Sequence, residues 1–174
     1  MSQDWLLVET LGDEPVVVAQ GRQMKNFVPL AAILRRNPNL EAIRVAIADA
    51  AAAGTPLTTA IGGDRVVRAE PVVMTDGVIH GVQVWYGPAG AEPPERPLIG
   101  VSSSDVALEG SATPQFLINL GKDPSVEPLT GRAIAGDIPA GSFNEGEAEA
   151  LSWVVDRREG RRLAANWGFR DDSG

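Results

Sequence analysis

The sequence predicts an α+β protein, with a five-stranded antiparallel sheet that carries helices on one face and a smaller α+β segment after it. Two observations predict this class. Residues 65–86 alternate apolar and polar side chains on both sides of Asp76-Gly77, a dipeptide that favours a two-residue hairpin turn. Upstream of this hairpin, the apolar period changes from two residues to a helical spacing and back to two. The predicted order is therefore two strands, helices and three strands.

The turn at Asp76-Gly77 sets the register of the predicted hairpin. If Thr75 lies opposite Val78, all other cross-strand pairs follow, and one face becomes almost entirely apolar while the other carries the charges. A slip by one residue would destroy this division. The apolar face carries Val73 with His80, Pro71 with Val82, Ala69 with Val84 and Val67 with Tyr86, and the other face carries Met74 with Ile79, Val72 with Gly81, Glu70 with Gln83 and Arg68 with Trp85.

The first strands form a second predicted hairpin at the N-terminus. Residues 5–11 and 14–19 are rich in β-branched and apolar side chains and are separated by the turn signal Gly12-Asp13. The chain then changes to a helical spacing, with Pro29 in the first turn of a short helix. The apolar residues of this helical spacing are Met24, Phe27, Ala31 and Leu34.

A clearer helix follows and leads into the third strand. Asn37 is predicted as its N-cap with Pro38 at the first helical position, and Gly54 as its C-terminal stop. Residues 57–62 are predicted as a strand that ends at the turn Gly62-Gly63-Asp64. The helix presents one apolar stripe, formed by Leu40, Ile43, Ile47 and Ala50.

A proline-rich stretch divides the chain into two parts. Residues 89–97 contain three prolines and follow Gly87-Pro88, a composition typical of a semi-rigid linker. We therefore predict a first domain over 1–88 and a second module over 98–174. In the second module we expect short strands at 98–101 and 106–108, a strand at 115–120, a helix from Ser142 or Asn144 to Val155, and a last strand at 161–169. Its size indicates either part of a larger module or a segment that packs on the first domain.

Composition excludes several classes of function. The chain has 174 residues, no cysteine and one histidine, so we expect no disulfide, no thiol nucleophile and no cysteine metal site. The formal net charge of −8 argues against nucleic acid or an anionic membrane as the main partner. No apolar run approaches the roughly 20 residues that a membrane helix needs, and the first residues do not resemble a secretory signal. We expect a cytoplasmic protein.

Two segments carry a family resemblance. DWLLVETLGDEPVVVAQG at 4–21 and VVMTDGVIHGVQVWYGP at 72–88 resemble the N-terminal PAS-like domain of an actinobacterial family. Members of that family carry PAS and GAF modules in tandem and are proposed to act in signalling. The order of two strands, helices and three strands, the last two a long hairpin, is also that of a PAS fold. The resemblance implies a cytoplasmic sensory or protein-interaction role, supplies no catalytic residue, and implies a full-length protein longer than this chain.

No motif for catalysis is found. His80 is the only histidine, so any Ser-His-Asp arrangement would need it. Ser102-Ser103-Ser104-Asp105 lacks the strained turn that exposes a hydrolase nucleophile, and Gly121-Lys122 lacks the leading glycine and the Ser or Thr of a phosphate loop. None of the acidic clusters has the spacing of an EF-hand calcium loop; these clusters are Asp13-Glu14, Glu145 with Glu147 and Glu149, and Asp171-Asp172. We predict no catalytic residue and no metal site, and the cofactor is unknown.

The resemblance points to two candidate sites. The first is a pocket between the helices and the inner sheet face. The candidate residues there either border this pocket or fill it as a solid core. The second is an interface on the outer sheet face, where Arg68 would lie over Trp85 as a cation–π pair, unless the second module covers it. The pocket candidates are Met24, Phe27, Ile43, Ile47, Val73, His80, Val82 and Val84, and the interface candidates are Arg68, Val72, Met74, Ile79 and Trp85.

These candidates lead to one main hypothesis for function. We predict a non-catalytic sensory or regulatory module in signal transduction, which acts through a small-molecule ligand or through association as a homodimer or with a signalling partner. One alternative is a scaffold whose core is filled and binds no ligand. The other is an enzyme that uses an unrecognised carboxylate pair.

Overall fold

The computed structural model describes residues 4–104, 110–119, 123–125 and 152, which fall into two units. The first unit comprises 1–73 and 77–97, and the second comprises 74–76 and 98–174. The described elements of the first unit are β1 Leu6–Glu9, β2 Val16–Gln20, β3 Gln23–Pro29, α1 Leu30–Ile33, α2 Leu40–Ala53, β4 Leu57–Gly62, β5 Arg65–Val73 and β6 Ile79–Pro88; those of the second are β7 Ser102–Ser104, β8 Gly110–Ala112 and α3 Pro114–Asn119.

The first unit is built on an open antiparallel sheet of six strands in the order β3-β2-β1-β6-β5-β4. All of its neighbouring strands pair in antiparallel orientation, and β1 pairs with β6 at the centre, which joins the N-terminal hairpin to the long hairpin. The α+β class is confirmed. The predicted count of five strands is wrong, because β3 adds an edge strand where the spacing of Met24 and Phe27 predicted a helix.

The sixth strand arises where Met24 and Phe27 suggested a helix. Gln20 pairs with Gln23 across a two-residue turn whose first position, Gly21, has a φ of 57°, and this chain reversal places β3 beside β2. The register shifts between Val17 and Ala19, and Phe27 itself has a φ of 48°. The spacing of Met24 and Phe27 thus belongs to a bulged strand rather than to a helical turn, and only Leu30–Ile33 is helical.

Helix α2 begins two residues later than the Asn37-Pro38 pair predicts. Its N-cap is Asn39, and Asn37 instead accepts the backbone N–H of Asn39 at its side-chain Oδ1, at 2.9 Å. This local bond shapes the turn before the helix, as Asn side chains commonly do. The predicted C-terminus is confirmed, because Gly54 has a φ of 66° and its N–H donates to the carbonyl of Ala50.

The long hairpin of β5 and β6 keeps the predicted register along most of its length. The pairs from Val67 with Tyr86 to Val72 with Gly81 are observed as predicted. Near the tip, however, Val73 pairs with Ile79 and not with His80, because the register shifts between Val72 and Val73. Residues 74–78 therefore form the loop of the hairpin. The predictions of a two-residue type I′ turn and of a pair between Met74 and Ile79 are wrong. Asp76 lacks the positive φ that a type I′ turn requires.

The core of the first unit lies between the helices and one face of the sheet. Ile43, Ile47 and Ala50 of α2 are at most 2% exposed, which confirms the predicted apolar stripe. Val82 and Val84 of β6 are fully buried in the same cluster. The other sheet residues of this cluster are Leu6, Val8, Val17, Ile61, Val67, Ala69 and Tyr86.

The proline-rich segment 89–97 belongs to the first unit and is bound to its sheet. The indole Nε1 of Trp5 donates to the carbonyl oxygen of Pro94 at 2.9 Å, and the amide Nε2 of Gln83 donates to that of Pro97 at 3.0 Å. Arg96 forms an ion pair of 3.5 Å with Glu70 of β5. These residues lie on the face opposite the core, so the segment packs on the outer face of the sheet.

The described part of the second unit is organised around Thr113. Its Oγ1 accepts the N–H of Val101 at 3.1 Å and that of Phe116 at 3.2 Å, so it joins the start of α3 to the residue that precedes β7. Thr75 donates its N–H to the carbonyl of Ala112 at 2.8 Å. Residues 115–119, predicted as a strand, are helical. The predicted helix ending at Val155 and the strand at 161–169 lie outside the described residues, apart from Ser152, which is helical.

Candidate functional site

Half of the predicted pocket residues fill the core of the first unit. Ile43, Ile47, Val82 and Val84 are each at most 2% exposed and pack against one another and the surrounding cluster. Close packing of this kind leaves the side chains in contact with protein on every side. The arrangement agrees with the filled-core alternative for these four residues.

The remaining pocket candidates lie apart from that core. Met24 and Phe27 are half-buried on the edge strand β3, and Val73 is 43% exposed at the end of β5. His80 is half-buried at the bulge of β6, where its carbonyl oxygen accepts the N–H of Thr10 at 3.2 Å. The expectation that His80 is buried on the apolar face is wrong, because the bulge removes it from the predicted pairing.

The interface candidates on the outer sheet face are more buried than expected. Trp85 is 2% exposed, and the Arg68 guanidinium carbon lies 5.9 Å from the centre of its ring, so the predicted cation–π pair is present. Trp85 is therefore not part of an exposed patch. Val72 and Ile79 are half-buried, and Met74 is 3% exposed within the second unit. A role of these residues in association stays a prediction.

A surface groove near the start of α2 is lined by both charged and apolar side chains. It has a volume of about 360 Å³, and we call it the arginine groove. Leu34 and Tyr86, at 3% and 4% exposure, belong to the core below it, whereas Arg36 and Arg65 are exposed. The lining residues are Ile33, Leu34, Arg36, Asn37, Pro38, Asn39, Arg65 and Tyr86.

Local backbone structure positions the two arginines. Arg36 lies in the turn after α1, which is closed by the N–H of Asn37 donating to the carbonyl of Leu34 at 2.7 Å. The ring of Pro38 limits the backbone of the same turn. Arg65 is the first residue of β5, paired with Pro88 in β6 and Gly62 in β4. The tight turn at Gly62-Gly63-Asp64 and the helix connection therefore bring Arg36 and Arg65 to the lining of one groove.

The groove offers hydrogen-bond donors and no carboxylate. Neither Arg36 nor Arg65 forms an ion pair with another residue of the described ranges, and the lining contains no Asp or Glu. Asn37 uses its Oδ1 to accept the N–H of Asn39, which leaves its Nδ2 group as a donor. The Asn39 side chain makes no capping hydrogen bond. The arrangement can bind hydrogen-bond acceptors and negative charge.

Other chemistry has little support in the part of the chain that the structure describes. Across those residues, no group of three or more His, Cys, Asp or Glu side chains could hold a metal ion. Asp123, an exposed residue, accepts hydrogen bonds from the Oγ and the N–H of Ser125, which lower the pKa of its carboxyl group. Within the described ranges, no helix is both long and apolar enough to span a membrane.

Arg36 and Arg65 are not among the candidate residues predicted from the sequence. One signal was present, because Arg35-Arg36 and Arg65 each stand beside turn residues, Asn37-Pro38 and Gly62-Gly63-Asp64, in a chain with a net charge of −8. Arginines beside turns are common on solvated surfaces, so this signal is weak alone. Only the tertiary fold brings the two turns together.

The described residues define an α+β protein whose first unit is built on an open antiparallel sheet of six strands. The chain belongs to the Rv3651-like family: the model of the family's N-terminal region matches residues 4–95, and that of its middle domain matches residues 104–174. The family is uncharacterised and of actinobacterial type.

Solved structures are among the proteins that this chain is similar to. The crystal structure of an uncharacterised protein from Mycobacterium tuberculosis is 49% identical to this chain with a TM-score of 0.84, over 98% of this chain and 53% of that one. This chain thus spans about half the length of that relative. An IclR-family transcriptional regulator from a Rhodococcus species matches with 17% identity and a TM-score of 0.31 over 51% of this chain and 47% of its own, and no argument rests on it. None of the curated proteins matches this chain.

Proposed function

We propose that this chain is a non-catalytic sensory or regulatory module of the PAS-like type, and that it acts in signal transduction by binding a small ligand in the arginine groove. The order of elements supports the PAS-like part, because two strands, helices and three strands remain when β3 is set aside. The observation that carries the proposal is the groove itself, since the central core is filled.

The position of the groove suits a regulatory role. Its lining joins the turn between α1 and α2 to Arg65 of β5 and Tyr86 of β6. Just beyond Tyr86, Ala89 donates its N–H to the carbonyl of Asp64 at 3.0 Å, at the start of segment 89–97. A ligand that contacts both the helix connection and this strand end would favour one arrangement of the two. Such a ligand changes the output only if it binds two conformations with different affinity.

The experiment that tests this function combines native mass spectrometry with hydrogen exchange. The purified chain is incubated with a small-molecule extract of cells, desalted and compared with its denatured mass. We expect a non-covalent adduct, and slower amide exchange at 33–39 and 65–66 in the adduct than in the bare protein. A bare native mass, or protection only elsewhere, contradicts the proposal.

The filled core favours a second candidate function, a scaffold that associates with a partner and binds no small ligand. Four of the predicted pocket residues are almost completely buried, as in an ordinary structural core. The same native spectra separate the two functions, because a homodimer or a bare monomer without adduct supports the scaffold. A membrane or nucleic-acid partner is not proposed, given the net charge of −8.

A further inference from the structure

We propose that the ligand of the arginine groove is a small anion whose phosphate or carboxylate group is bound between Arg36 and Arg65. This inference rests on the proposed function and names the chemistry of its ligand. The chain as a whole has 23 acidic and 15 basic residues, yet the eight lining residues include two arginines and no acid. The groove therefore has the opposite charge to the molecule around it.

Arg36 and Arg65 are among the described arginines that form no ion pair, as are Arg22, Arg35 and Arg68. Arg44 pairs with Glu41 at 3.3 Å and Arg96 pairs with Glu70 at 3.5 Å, whereas Arg36 and Arg65 have no ion pair within the described ranges. Asp64, the acidic neighbour of Arg65 in sequence, does not line the groove. Two like charges that share a groove repel each other, and a bound anion would replace this repulsion with two attractions. The planar guanidinium group binds phosphate and carboxylate through paired hydrogen bonds.

The rest of the lining indicates the size and shape of the anion. The side-chain amide of Asn37, next to Arg36 in sequence, adds a neutral donor, and Leu34, Ile33 and Tyr86 provide an apolar surface. The volume of about 360 Å³ lies at the lower end of the range of roughly 300–1,000 Å³ for small-molecule sites. A small metabolite with one anionic group and a less polar body matches these features better than a peptide or a nucleic acid.

The test uses the full chain labelled with ¹⁵N, titrated separately with sodium phosphate and with sodium succinate while sodium chloride keeps the ionic strength constant. We expect saturable shifts of the Nε–H signals of Arg36 and Arg65 with at least one of the two anions, and the stronger response assigns the headgroup. Arg36→Gln and Arg65→Gln should each weaken binding about tenfold, which corresponds to one charge-assisted hydrogen bond. Both side chains are exposed, so the amide spectra of the variants should otherwise match the wild type.

Arg35→Gln is the matched control. Arg35 is the exposed neighbour of Arg36, carries the same charge and does not line the groove, so its loss should change the affinity less than about twofold. Equal weakening in Arg35→Gln would indicate a general charge effect and overturn the inference, as would shifts that do not saturate. Native mass spectrometry could instead find a neutral ligand whose binding survives Arg36→Gln and Arg65→Gln. The inference of an anionic ligand is then wrong, while the proposed function stands. Absence of any adduct and of any saturable shift overturns both.

Discussion

The indole Nε1 of Trp5 donates a hydrogen bond of 2.9 Å to the carbonyl oxygen of Pro94, 89 residues later in the chain. Trp5 directly precedes β1, at the centre of the sheet, whereas Pro94 belongs to the proline-rich segment. With the bond from Gln83 to Pro97, this contact attaches that segment to the outer sheet face. The segment expected as a spacer therefore contributes to the stability of the first unit.

Trp5→Phe should destabilise the first unit because it removes this hydrogen bond and leaves the Pro94 carbonyl without its donor. Trp85→Phe is the matched control, since Trp85 is similarly buried but its Nε1 has no hydrogen-bond partner among the described residues. Both changes remove a similar volume, so we expect Trp5→Phe to cost about 1 kcal/mol more. The measurement is the free energy of unfolding in urea. An equal or larger loss in Trp85→Phe would show that the Trp5 bond contributes little.

Gly87→Ala should destabilise the outer face of the sheet. A Cβ at Gly87 would lie 2.4 Å from Cζ2 and 2.5 Å from Cη2 of Trp85, and the ring has little freedom to move because it is 2% exposed. Overpacking of this kind costs about 1–3 kcal/mol. Gly90→Ala serves as the control, because a methyl group added there would meet no atom of the described residues within 4 Å, and the φ of Gly90 is not positive. The melting temperature should fall for Gly87→Ala and stay unchanged for Gly90→Ala.

Ile47→Ala tests whether the core of the first unit is filled. Ile47 is 2% exposed, and its truncation in a packed core should cost about 2–5 kcal/mol through lost burial and a new cavity. Val45→Ala on the same helix changes a side chain that is 57% exposed and should cost less than about 0.5 kcal/mol. Chemical denaturation measures both values. Similar small losses would indicate that Ile47 borders an open pocket instead.

Thr113→Val should loosen the second unit locally. The change keeps the side-chain shape but removes the Oγ1 that accepts the N–H groups of Val101 and Phe116. Loss of a helix cap costs about 1 kcal/mol, and the amides of Val101 and Phe116 should exchange about fivefold faster. Thr113→Ser keeps the oxygen and should retain most of the protection. Exchange that is unchanged in Thr113→Val would exclude this role of the hydroxyl.

Local sequence patterns were sufficient for the elements whose signals agree with one another. Helix α2 has an apolar stripe and a glycine stop, and β4 spans Leu57–Gly62 as its turn residues indicated. The central register of β5 and β6 follows from alternation, because any slip would place polar side chains in the core. These features depend on interactions between residues that are close in sequence or paired directly across one turn.

Tertiary structure decided the features for which local signals conflict. The spacing of Met24 and Phe27 is compatible with a helix, but pairing with β2 makes this segment a strand, since tertiary hydrogen bonds outweigh weak local preferences. The bulge at His80 likewise overrides the turn preference of Asp76-Gly77. For the meeting of Arg36 and Arg65 in one groove, the only local signal is that each arginine stands beside a turn. The chain by itself thus determined its class and its main packing elements, whereas the folded sheet decided the sixth strand, the position of segment 89–97 and the candidate site, because each of these depends on contacts between residues that are distant in sequence.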